Sequence, residues 1–116
     1  MSLENEAKRL AAVHARWFRD PVEALFGKSR EGPVMVLYKR LKTAKNKDDI
    51  KNILSNFTGL QMSQYTQNDL NRLITEIFKR IDNMNDEDAV RFSLEVFRYL
   101  QISLFTRIDN TNKGIF

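Results

Sequence analysis

The sequence predicts an all-α fold, a compact bundle of five to six short-to-medium helices around a largely buried C-terminal helix. Three observations carry that prediction. Apolar residues recur at helical spacing through most of the chain. Stop and start signals, among them Asp20-Pro21, Gly32-Pro33 and Asn46 followed by acids, fall between the periodic stretches. Only 4 Gly and 2 Pro occur in 116 residues, too few for a turn-rich β protein.

Ser2 caps a first helix in which Leu3, Ala7, Leu10, Ala11, His14, Trp17 and Phe18 share one face. Lys8, Arg9, Arg16 and Arg19 lie off that stripe. Trp17 and Phe18 sit at core spacing and are expected inside, with His14 beside them half-buried and hydrogen-bonded. Asp20-Pro21 then restarts the chain. Pro suits the first helical position, and Asp20 with Glu23 three residues on makes a capping-box-like start. Val22, Leu25 and Phe26 form a short apolar turn that stops at Gly27.

Lys28 to Gly32 reads as a loop, and Pro33 opens a third helix with Val34, Leu37, Tyr38 and Leu41 inward. Asn46-Lys47-Asp48-Asp49 breaks that helix and caps a fourth, lined by Ile50, Ile53, Leu54 and Phe57 and ended by Gly59. Leu60 to Tyr65 reads as a loop with apolar anchors. Thr66 with Asp69 resembles a capping box and starts a long helix over Leu70, Leu73, Ile74, Ile77, Phe78 and Ile81. Asn83 to Asp88 is a turn whose acids suit the helix N-terminus that follows.

The last element has two readings. Val90, Phe92, Leu94 and Val96 alternate with polar residues as in a strand, and Leu100, Ile102 and Leu104 alternate again. The phase slips between Val96 and Phe97, however, and the acidic start favours a helix. Taken together these apolar residues cover nearly the whole circumference of a helix, which is the signature of a central one walled by its neighbours. A length of 116 residues fits one domain, read as residues 1–109, with a frayed tail over 110–116.

Composition also bounds function. With no Cys and a single His, thiolate chemistry, Cys-based zinc sites and two-His metal sites are excluded. Gly27-Lys28-Ser29 copies the end of a phosphate-binding loop, but Val22 stands where its first Gly belongs and a helix precedes it. Asp82, Asp86 and Asp88 are spaced somewhat like a calcium loop, yet Met84 takes a ligand position and Glu87 replaces the needed Gly. No catalytic residue, metal or cofactor is therefore expected. Residues 1–6 lack the basic and apolar regions of a signal peptide, and Val90 to Phe105 is too polar to span a membrane, so a cytoplasmic protein is expected, or a nuclear one in a eukaryote.

Charge is distributed unevenly. Residues 28–51 hold eight basic side chains (Lys28, Arg30, Lys39, Arg40, Lys42, Lys45, Lys47 and Lys51) against Glu31, Asp48 and Asp49, while the rest of the chain is nearly balanced; the net charge is +4. One segment thus owns the excess. Its loop also brings Gly32-Pro33 to a helix N-terminus, where backbone N–H groups favour an anion. Two functions follow. In one, a non-catalytic binding subunit docks this face on the phosphate backbone of RNA or DNA, or on an acidic protein surface, within a larger assembly of other subunits, with Lys39, Arg40 and Lys42 central. In the other, the chain is a protein–protein adaptor or self-associating bundle with no nucleic-acid role. Its basis is an apolar surplus (Leu60, Met62, Tyr65, Phe92, Tyr99 and Ile102) too large for one small core, and the basic face then serves solubility alone.

Overall fold

The computed structural model describes residues 2–28 and 31–112. Six helices and no strand are found among them: α1 (Leu3–Trp17), α2 (Pro21–Phe26), α3 (Pro33–Leu41), α4 (Lys47–Ser55), α5 (Gln64–Ile81) and α6 (Asp86–Asn112). Short polar side chains start most of them by accepting a hydrogen bond from a first-turn N–H. Ser2 accepts from Asn5 at 3.1 Å, Asp20 from Glu23 at 2.9 Å, and Asn46 from Asp49 at 2.8 Å. Asn85 accepts from Asp88 in the same way at 2.8 Å. The second helix ends at Gly27, whose φ of 61° is a left-handed conformation that suits glycine.

The fifth helix begins earlier than the capping pattern Thr66/Asp69 predicts. Ser63 is the cap, accepting from the Thr66 N–H at 3.3 Å. Thr66 and Asp69 are instead turned inward and buried. Each has a long-range partner. The Thr66 hydroxyl donates to the Glu23 carboxylate, and Asp69 accepts from the Arg19 N–H at 3.0 Å just past the end of α1. Glu23 also accepts from the Ser63 N–H at 3.1 Å and the Ser63 hydroxyl at 2.7 Å. One carboxylate on α2 thereby fastens the N-terminus of α5.

Those hydrogen bonds, first from Thr66 and then from Ser63, hold the Glu23 carboxyl below its ordinary value of 4.5, against the opposing pull of burial. A folded-state pKa below the unfolded one contributes stability that is fully present above pH 4.5 and disappears as pH falls through the lowered value. Glu23→Gln is therefore expected to cost about 1 kcal/mol at pH 7 and much less near pH 3. Urea titrations of both forms at the two pH values check this. Equal differences at both would remove the carboxylate from the account.

Residues 86–112 resolve the ambiguity in favour of a helix, the central one. Ala89, Phe92, Val96, Phe97, Leu100 and Leu104 are all fully buried. The helix is about 40 Å long at 1.5 Å per residue, which matches the 42 Å longest dimension of the molecule. All five other helices touch it. The helix continues through Asn112, so 110–112 extend it rather than forming the expected tail; residues 113–116 lie outside those described. No helix among the described residues is long and apolar enough to cross a membrane.

The first helix runs parallel to the C-terminal half of α6. The Tyr99 hydroxyl donates to Glu4 at 2.6 Å near one end, and Arg107 donates to the carbonyls of Ala15 (2.9 Å) and Phe18 at the other. Arg107 so serves as a cap for the C-terminus of α1, satisfying carbonyls that the helix leaves open. On its other flank α1 runs antiparallel to α5, with Arg19 against Asp69 and Trp17 beside Arg72.

Two core expectations change. Phe18 is buried, but Trp17 is 50% exposed. The buried stripe of α1 and its C-cap is Ala7, Leu10, Ala11, His14, Ala15 and Phe18. Trp17 lies to one side of it, towards the open seam with α5. The apolar surplus also shrinks: Phe92 is fully buried, and Leu60, Met62 and Tyr99 pack partly on the core, which leaves Tyr65 and Ile102 outside.

Candidate functional site

The basic residues of 28–51 divide among three structural neighbourhoods. Near the start of α3, Lys28 is exposed, and its charge helps to hold Glu23 ionised. Lys39, two turns along the helix, reaches back to form an ion pair with Glu31. Arg30 lies outside the described residues. The N-terminus of α3 is not open to an anion at Gly32 and Pro33. Both are buried, and the Gly32 N–H donates to the Leu25 carbonyl at 2.9 Å. The anion site expected there is closed by the last turn of α2.

At the other end of α3, Arg40 is half-buried and structural. Its guanidinium donates to the carbonyls of Asn56 and Thr58, each at 3.2 Å, and so ties the loop after α4 to α3. Lys42 and Lys45 are exposed and flank the turn between α3 and α4, with the Lys42 ammonium 4.7 Å from the centre of the Tyr38 ring. The start of α4 faces acids from the α5–α6 turn. Lys51 pairs with Asp82 at 3.1 Å, and the Lys47 N–H donates to Asp86 at 3.1 Å. Exposed pairs of this kind add little stability, about 0 to 1 kcal/mol, but they do lower the local positive field.

Of the three cations expected at the centre of the footprint, then, Lys39 is neutralised and Arg40 is engaged, which leaves Lys42. Lys28, Lys42, Lys45 and Lys47 form no ion pair among the described residues. They span the length of the segment rather than converging on one spot.

A second surface carries unpaired cations, and the sequence reading did not find it. A groove of about 490 Å³ runs along the seam between α1 and α5. Arg9, Val13, His14 and Trp17 line it from α1, and Arg72 and Arg80 from α5. The Arg72 guanidinium lies 5.9 Å from the centre of the Trp17 ring, and the His14 ring meets Trp17 edge-on at 4.9 Å. Beyond the end of the groove the Arg19 guanidinium stacks on Tyr65 at 4.6 Å, and Tyr65 is itself 58% exposed.

Glu6 and Glu76 supply the acids of this groove. Glu76 is held ionised by its bonds to Arg80 (3.0 Å) and Lys79 (3.2 Å). Arg9 and Arg72 in the groove, and Arg19 beyond its end, form no ion pair among the described residues. The His14 ring is buried and makes no hydrogen bond among the described residues, contrary to expectation. Burial first of all holds it below 6.5, opposed by Glu76 and reinforced by Arg72 and Arg80, so it is neutral at pH 7. No group of three or more His, Asp or Glu suited to a metal ion is found among the described residues.

Fold and charge together define a small helical domain with two cationic faces. Comparison with protein-family models, curated proteins and solved structures finds no match to the chain.

Proposed function

We propose that the domain is a non-catalytic binding subunit that contacts the phosphate backbone of nucleic acid within a larger assembly. The observation that supports this reading is the set of cations left without an acidic partner among the described residues, on both the 28–51 segment and α1/α5. A sequence-independent backbone contact needs such charges and little else. Each neutralised phosphate releases a counterion, so binding depends steeply on salt.

The test is fluorescence anisotropy with labelled DNA and RNA, single- and double-stranded, in about 50 mM and about 200 mM salt. Binding that weakens by orders of magnitude at the higher salt is the expected result; no binding at the lower salt rejects the reading. The double variant Lys42→Glu/Lys45→Glu is expected to weaken binding at least tenfold, roughly, and to flatten the salt dependence. The fold should survive, because both side chains are exposed and neither bonds to another element. Wild-type affinity in this variant would move the footprint off the α3–α4 turn.

A protein–protein role has its own support. Ile102 and Phe105 on α6 are 51% and 56% exposed, and Ile102 lines a groove of about 630 Å³ between α1 and α6. A dimer or complex that persists unchanged from low to high salt, and that Ile102→Asp disrupts, would favour this second reading.

A further inference from the structure

We propose that the α1–α5 groove is a stacking site for a base of single-stranded nucleic acid, with Trp17 as the platform and Arg9 and Arg72 as contacts for the flanking phosphates. The inference rests on the backbone-binding reading above and adds to it a strand type and a location. Binding of single strands without sequence preference combines a cationic track with exposed aromatic rings, since every base has a face to stack. The 28–51 segment supplies cations, but its Tyr38 is half-buried beneath Lys42. The α1–α5 face supplies both parts. Half of the Trp17 surface is open; Arg72 lies beside the ring, Arg9 lines the same groove and Arg19 lies beyond its end, all without ion-pair partners among the described residues.

The local framework positions the ring. Trp17 is the last residue of α1, and Arg107 and Asp69 pin the backbone on either side of that helix end. His14 supports the indole edge-on, with the ring centres 4.9 Å apart. Arg9 lies about 12 Å back along α1, two turns away, so the cations extend along the groove rather than crowding the ring. Glu76 faces the same groove, but Arg80 and Lys79 neutralise it. Glu6 is the acid left at the far rim.

Charge complementarity favours a polyanion over a protein partner here. Among the described residues, the large apolar side chains exposed in the groove are Val13 and Trp17, at 39% and 50%. A protein interface buries a wider apolar centre with few charges, whereas one base needs one ring and its phosphates need the arginines.

Trp17 is the single tryptophan of the chain, so its fluorescence reports this groove alone. The protein is titrated with unlabelled oligothymidylate and oligouridylate of about ten nucleotides and with a duplex of matching length. Indole emission is followed alongside the anisotropy of labelled competitors. The expected result is quenching by the single strands and none by the duplex, whose bases are already stacked. A stronger effect of one oligomer would distinguish DNA from RNA. Trp17→Ala is expected to lose roughly tenfold in single-strand affinity and Trp17→Phe to retain most of it, with duplex affinity unchanged in both. Circular dichroism verifies that both variants are folded.

Single-strand binding with unchanged Trp17 emission, and wild-type affinity in folded Trp17→Ala, would overturn the stacking site while leaving the backbone reading intact. Absence of binding to any oligonucleotide at low salt would overturn both. A Trp17 shift that depends on protein concentration alone would assign the groove to a second copy of the chain and overturn the proposal.

Discussion

Gly32→Ala is expected to lower folding stability by about 3 kcal/mol and the thermal midpoint by roughly 10 °C. The reason lies in how α2 and α3 meet. Gly32 caps α3 while its Cα rests directly on the last turn of α2. A methyl group there would lie 2.4 Å from the Ala24 carbonyl oxygen, 2.6 Å from the Leu25 carbonyl carbon and 2.7 Å from the Glu23 carbonyl oxygen. All three are backbone atoms of a helix, so no side chain can swing aside. The two helices must separate, and with them the buried Leu25, Val34 and Leu37. Gly32 itself has an ordinary extended backbone, φ −81° and ψ 174°, so the penalty is one of space and not of dihedral strain. Thermal unfolding followed by circular dichroism measures it. A midpoint within about 2 °C of wild type would mean that α2 and α3 can move apart freely.

The second large effect concerns Arg40, which sequence reasoning places at the centre of a binding footprint. Arg40→Glu is expected to lose about 2 kcal/mol of stability, whereas Lys42→Glu should change it by less than about 0.5 kcal/mol. The glutamate not only removes two charge-assisted hydrogen bonds to the carbonyls of Asn56 and Thr58; it also sets a carboxylate against the same carbonyl oxygens. The loop from Asn56 to Leu60 then loses its anchor on α3. Urea unfolding of the two single variants makes the comparison. If they are equally stable, Arg40 is a surface charge like its neighbour. If Arg40→Glu alone is destabilised, any loss of nucleic-acid binding it shows must be corrected for unfolding before it is counted as a contact.

The helices were legible because their signals are local. Ser2, Asp20, Asn46 and the Gly27 terminator act within four residues of the ends they define, and the apolar stripes of α3 and α4 require no partner to be recognised, although α4 ends at Ser55, ahead of the expected Phe57 and Gly59. The start of α5 is obscured for a related reason: Thr66 and Asp69 have the spacing of a capping box, but their side chains serve Glu23 and the Arg19 N–H, 43 and 50 residues away in sequence. Helix α6 carries a strand-like alternation because its apolar sector is wide: half-buried Val90 and Leu94 flank the buried Phe92 and Val96, and Ile102 and Phe105 place apolar side chains on its exposed face as well.

The charged surface was legible only as a tally. That Lys39 meets Glu31 is a matter of one loop, but that Lys51 meets Asp82 depends on α4 packing near the α5–α6 turn. The α1–α5 groove was invisible for the same reason. Arg9 and Trp17 on one helix, and Arg72 and Arg80 on another, carry regular spacings that do not say which helices are neighbours. The position of Trp17 was the nearest available signal. It follows His14 by three and precedes Phe18 by one, a place at the edge of the stripe rather than its middle.

The pairing of α1 with α6 also governs when the protein can fold during synthesis. The bonds that join these helices link residues 95, 92 and 89 positions apart. At about 5 to 20 residues per second, a ribosome makes α1 roughly 5 to 20 seconds before its main partner exists. Through that interval the apolar face of α1, including Leu10 and Phe18, has no α6 to cover it. The nascent chain is therefore expected to hold a chaperone on its first helix until the last one emerges, and stalled chains ending before residue 89 should remain protease-sensitive throughout.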